Sequence, residues 1–256
     1  MKSFYRLLNE EFNAIFYGLL AICAAALFVP PLLIAYRMKR FMSEYERYEQ
    51  IYATSGSVLV FVLCLAALLG LLLYSVYSGY WRTKSVYTML TLPVSRESLF
   101  FGKLAAFGIG FLLLWLAALL NVWLGCEIAE NRMLRHTDGS VVPIHNGLFL
   151  AVIRSDFMNL LIPFTVKGLL STVSMAAALI TGVYYGALCE RSRRYWGVVP
   201  IAVSWWLIYR AAVYRIGLPE PYVDPYNLWL NSAILLALTG WFAAHGIILL
   251  KKGATV

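Results

Sequence analysis

The chain has 256 residues, of which 61% are apolar and 13% charged, and its mean hydropathy is +0.73. Soluble domains average about 25% charged and ~45–50% apolar residues, and a globule of this size still needs a polar surface. The composition excludes a soluble enzyme, a disordered tail and a collagen-like fibre, and it points to a polytopic membrane protein. Lys plus Arg number 21 against 13 acids, a formal charge of +8. Basic loops on an anionic leaflet account for that excess, and no nucleic-acid-binding module accompanies it.

In chain order, Met1–Asn13 comes first. Phe4, Leu7, Leu8 and Phe12 recur at helical spacing, with Lys2, Arg6, Glu10 and Glu11 mostly opposite. This predicts a short interfacial helix over 1–13. A bilayer core about 30 Å thick needs ~20 apolar residues in a helix, and six runs qualify: about 14–36, 57–78, 104–125, 168–189, 197–217 and 228–250. The first run starts too late and is too long for a cleaved signal peptide. Pro30 and Pro31 predict that span one bends or ends near Pro30. Pro200 falls in the first turn of span five, where proline is tolerated.

The expected fold class is an all-α membrane protein, a single domain over 1–256, with six spans, the interfacial helix and a cytoplasmic helix between spans two and three. With the N-terminus inside, inner segments carry eleven basic residues and outer segments nine. The outer segments are longer and hold nine of the 13 acids, so basic density favours both termini in the cytoplasm. The segment RMKRFMSEYERYEQ after span one suits a helix projecting outside. Residues 157–163 read as an apolar segment dipping into the outer interface, and 190–196 as a tight basic turn.

Chemistry-bearing residues are sparse. Phe101-Gly102-Lys103 lacks the first glycine and the hydroxyl residue of a phosphate loop, so this chain has no ATP cradle of the usual kind. It has no HExxH and only three histidines, and Cys23, Cys64, Cys126 and Cys189 show no metal or disulfide spacing. No enzyme activity and no metal site are expected. Arg210 has two readings: facing a water-filled outer vestibule toward an anionic substrate, or, preferred, snorkelling to the interface beside Arg215. Asn121, near Trp123, is expected at the outer interface and joins Arg210 as a candidate for a substrate path. His245 reads as interfacial. Ser171, Thr172, Ser174 and Thr181 in span four read as helix-packing residues.

The informative stretch joins spans two and three: YWRTKSVYTMLTLPVSRESLFFGK, from Tyr80 to Lys103. Trp81, Ser85, Thr88, Met89 and Leu92 share one side of a helix that Pro93 ends. Ser95 is a predicted N-cap for the next helix, Glu97 complements its dipole, and Lys103 anchors it at the inner interface. An elbow of this kind passes a push from a cytoplasmic partner into span three.

The phrase TMLTLPVSRESLFFGKLAA resembles the stretch before the third span in ABC-2-type transporter permeases, and the order of surface helix, six spans and elbow is similar too. The resemblance implies that Trp81–Leu92 is a coupling helix docking on a separate ATP-binding subunit. It makes Trp81, Arg82, Lys84 and Tyr87 the docking contacts, and Pro93, Ser95, Arg96 and Glu97 the turn. It implies ATP and Mg on that partner, none on this chain, a second permease copy or paralogue, and a plasma (inner) membrane location. An exported peptide, lipid or small amphipathic substrate is expected. Rival readings are a non-transporting scaffold or sensor subunit and a stand-alone secondary carrier. The long charged loop after span one departs from the family pattern and leaves the substrate class open.

Overall fold

The computed structural model describes residues 2–40, 47–81, 95–136, 148–161, 163–193, 195–216 and 227–251. Its helices are α1 (Lys2–Arg40), α2 (Tyr48–Thr54), α3 (Ser57–Trp81), α4 (Arg96–His136), α5 (Leu148–Arg154), α6 (Asp156–Leu161), α7 (Val166–Arg191), α8 (Val198–Arg215) and α9 (Leu228–Lys251), with a 3₁₀ turn at Tyr195–Gly197. Six of these, α1, α3, α4, α7, α8 and α9, are long and apolar enough to cross a membrane. They contain the six predicted spans, except that α8 runs from Val198 to Arg215 rather than over 197–217. Among the described residues the chain is all-helical, and its six long apolar helices make it a multi-pass membrane protein.

Two parallel pairs organise the bundle. Helix α1 lies along α4, where glycines allow close approach: Leu7 seats on Gly102, Leu19 on Gly110, and Ile34 on Gly125. Helix α7 lies along α9 in a fixed register, in which Gly182 meets Phe242 and Tyr185 meets His245. The oppositely directed α3 and α8 pack on the first and second pair respectively. The pairs join through Val76, Phe100, Tyr184, Leu188 and Phe242. Small residues suit this work, since lipid offers no hydrophobic drive and tight packing must hold the helices together.

Two expectations about the first helix are corrected. Residues 2–13 do not form a separate surface helix; they continue straight into span one as part of a 39-residue helix. The amphipathic pattern there serves packing: Leu7 is buried against α4, and Glu11 pairs with Lys103. Nor does α1 stop at Pro30; it runs through Pro30 and Pro31 to Arg40. A proline lacks the N–H that would bond the carbonyl four residues back, so Pro30 frees the carbonyl of Ala26. Asn121 Nδ2 donates to that oxygen at 3.0 Å. The side chain of α4 replaces the missing backbone donor, as intramembrane prolines require.

The predicted N-cap at Ser95 forms, with the Ser98 amide donating to its hydroxyl at 3.3 Å. The basic turn after α7 is also present, with Arg193 in the left-handed region at φ 51°. Residues 157–161 of the expected dipping segment lie in α6, which follows the short helix α5; Ala151, Val152 and Met158 of the two are buried against Tyr48, Ile51 and Tyr52 of α2. Of the expected projecting helix over 37–50, residues 37–40 end α1 and 48–50 begin α2, while 41–46 lie outside the described residues.

Candidate functional site

One end of the bundle gathers the starts of α1 and α4 with the ends of α3, α7 and α9, so the first and last described residues share it. This terminal end is where α4 emerges from the segment 82–94. The expected coupling helix, with Arg82, Lys84, Tyr87 and Pro93, lies outside the described residues; Trp81 is the last residue of α3. The turn residues that follow can be placed. Arg96 Nη1 donates to the carbonyls of Leu250 and Lys251 at 2.8 and 3.0 Å. Glu97 pairs with Lys251 Nζ at 2.5 Å.

Arg96 thus meets the last carbonyls of α9, where the helix dipole is negative and intrahelical donors have run out. Two turns on, Lys103 pairs with Glu11 of α1 at 3.3 Å, both side chains only 13% exposed. Its predicted role as an interfacial anchor is therefore an anchor onto α1. Nearby, Tyr77 at the end of α3 donates to Glu190 at the end of α7, and the Arg191 guanidinium stands 5.8 Å from the centre of the Tyr77 ring. Near this end of the bundle, polar contacts tie α4 to α9 and α1, and α3 to α7. The first two turns of α4 grip both α1 and α9, so a displacement of the chain entering α4 is carried to both.

The Glu97–Lys251 pair is half-exposed, so its contribution to stability is about 1 kcal/mol or less. Glu97→Lys is therefore expected to leave the thermal midpoint within a few degrees of wild type. It is expected to weaken the hold of α4 on α9, read as faster hydrogen exchange confined to the last turn of α9.

The candidates for a substrate path do not come together. Asn121 is fully buried within the protein. Its Nδ2 serves Ala26, and its Oδ1 accepts from the Tyr52 hydroxyl at 3.1 Å. That corrects its assignment: both polar atoms are committed to the fold. One turn away, the Tyr48 hydroxyl donates to the Val122 carbonyl at 2.7 Å. Gly125 makes room for it, since a Cβ there would stand 2.7 Å from the hydroxyl. Burial pushes both phenols well above their ordinary range, so they remain protonated donors. Arg210 stands exposed on α8, its guanidinium 5.1 Å from the centre of the Trp206 ring, whereas Asn121 lies among α1, α2 and α4.

His245 is half-buried rather than simply interfacial. Its Nδ1 meets the hydroxyl of the fully buried Tyr185 at 2.6 Å, and Trp241 stacks on its ring. Sequence reasoning also missed a set of arginines that close helix C-termini. Arg37 donates to Gln50 and Ile51 at the end of α2, Arg132 to Ala35 near the end of α1, and Arg215 to Asn159 and Leu160 at the end of α6. The signal was present as arginines near span ends, but their partners lie 13 to 97 residues away. Among the described residues no three His, Cys, Asp or Glu side chains gather as a metal site would require.

No family model, curated protein or solved structure matches this chain. Its functional reading rests on its own residues.

Proposed function

We propose that this chain is the membrane-spanning permease subunit of an ATP-driven transporter of the ABC-2 type. It works in a plasma (inner) membrane beside a second permease copy or paralogue, with both termini in the cytoplasm. A separate subunit binds ATP and Mg, and its closure pushes the segment 82–92. The push enters α4 at Arg96 and Glu97, and it spreads to α9 through the Leu250 and Lys251 contacts and to α1 through Lys103–Glu11. Helices α3 and α4 tilt, and a path at the permease–permease interface changes sides. The favoured cargo is a peptide, lipid or other small amphipathic molecule moving outward.

The observation that carries this reading is the placement of the TLPVSRESLFFGK phrase. Its second half opens the helix that grips two others, at the end of the bundle holding the first and last described residues. The scaffold reading lacks a use for such a grip. The secondary-carrier reading needs ionisable residues at mid-membrane, and the ion pairs found here sit at the terminal end.

The test is a charge reversal at the docking face. Arg82→Glu with Lys84→Glu is expected to abolish co-purification of the ATP-binding subunit while the chain still inserts and folds. Unchanged co-purification after the double reversal contradicts the coupling assignment. Substrate-stimulated ATP hydrolysis by the purified complex separates a permease from a scaffold.

A further inference from the structure

At the opposite end of the bundle, three helices converge on a polar layer that the permease reading does not use. Its position follows from the register of α7 against α9. Met175 shares an apolar cluster with Leu235, Gly182 meets Phe242 and Tyr185 meets His245, each pair sixty residues apart. One helical turn outward from Met175 and Leu235 are Ser171 and Asn231. The cluster also holds Ala211 of α8, and one turn outward from it is Arg215. Three neighbouring helices thus each place a polar side chain directly above the same apolar layer.

Two of these residues lack partners. Ser171 is 0% and Asn231 4% exposed, yet Ser171 Oγ and both polar atoms of Asn231 make no hydrogen bond. An unpaired buried polar group is costly, and at membrane depth no bulk water relieves it. The third residue carries charge. Arg215 donates to Thr172 Oγ1 at 2.7 Å and to the carbonyls of Asn159 and Leu160 at 2.8 and 3.2 Å. That engages three of five guanidinium donors, and no carboxylate among the described residues pairs with it. The N-terminal poles of α7 and α9 face the same layer and add positive potential, which the C-terminal pole of α8 partly offsets.

We propose that this corner of α7, α8 and α9 binds a single oxyanion, the phosphate or carboxylate group of a small ligand or a lipid. Arg215 supplies the charge. Asn231 Nδ2 donates to the anion, and the Ser171 hydroxyl donates either to the anion or to Asn231 Oδ1, which satisfies the remaining acceptor. The proposal stands independently of the permease reading, because it uses none of the contacts at the terminal end.

The test uses the full chain purified in detergent, with thermal unfolding followed by tryptophan fluorescence at constant ionic strength. Inorganic phosphate, acetate and dihexanoylphosphatidic acid are titrated separately. A ligand that binds only the folded state raises the midpoint with saturation, by about 3–5 °C when well above its dissociation constant. Asn231→Leu and Ser171→Ala remove atoms that have no protein partner, so both variants are expected to fold. Each is expected to weaken the binding at least tenfold. A shift with phosphate or acetate identifies a free anion; a shift with the short-chain lipid alone identifies a headgroup. No saturable shift with any of the three overturns the proposal, and so does a shift of equal midpoint concentration in wild type and both variants.

Discussion

Lys103→Glu is expected to unfold or severely loosen this protein, while the double exchange Lys103→Glu with Glu11→Lys restores it. The pair joins α1 to α4 at 3.3 Å, with each side chain only 13% exposed. Breaking a largely buried pair by removing one partner costs about 3–5 kcal/mol, because a charge is left without compensation. Reversing Lys103 goes further and sets two carboxylates against each other. Leu7 seats on Gly102 next door, so swinging α1 away from the repulsion also breaks that packing. The measurement is the midpoint of denaturation in mixed detergent for the wild type, both single variants and the exchange. Recovery of most of the lost stability by the exchange shows that the pair holds α1 on α4; equal damage in all three shows that packing alone matters there.

Asn121→Leu is expected to cost about 2–4 kcal/mol, the sum of orphaned partners in a buried site. It strands the Ala26 carbonyl that Pro30 leaves without a backbone donor, and it strands the Tyr52 hydroxyl. The two losses can be separated. Tyr52→Phe removes the second partner, so the Asn121→Leu penalty measured in that background should fall by roughly 1–2 kcal/mol. Replacing Pro30 by alanine restores the N–H for Ala26 and should recover the first part. A penalty insensitive to both backgrounds contradicts the bonding scheme.

These two sites show what the sequence carries and what it hides. The six spans were legible, because a run of ~20 apolar residues has few other uses. The Ser95 cap was legible because capping is local. Asn121 was misread because its partner Ala26 lies 95 residues away. Pro30 still held a usable clue: a proline inside a continuing span demands a substitute donor, and few intramembrane side chains can supply one. The N-terminal segment failed for a different reason. An apolar stripe with charges opposite looks the same whether it lies on lipid or on α4, and only the Glu11–Lys103 pair tells them apart. Likewise, Ser171 read as a packing residue, and its alignment with Asn231 and Arg215 depends on the register of three helices.

Under the proposed permease reading, the terminal end would let this chain respond to a partner that pushes on it. The grip of α4 on α1 is buried and strong, whereas its grip on α9 is half-exposed and easily released. A push on the segment before Arg96 would therefore move α1 and α4 as a unit and slide them against α9. In this scheme the paired helices α1 and α4 are the moving body, and α7 with α9 is the body they move against.

Ser85 offers the most direct measurement. A single cysteine placed there, in a chain whose four native cysteines are replaced by alanine, is coupled to a photoreactive maleimide in native membranes and irradiated. The account predicts that an impermeant reagent blocks the site only after the cytoplasmic face is opened, and that irradiation yields an adduct with a protein bearing an ATP-binding phosphate loop. Blocking from the outside of intact cells, or irradiation that captures no such protein, contradicts it.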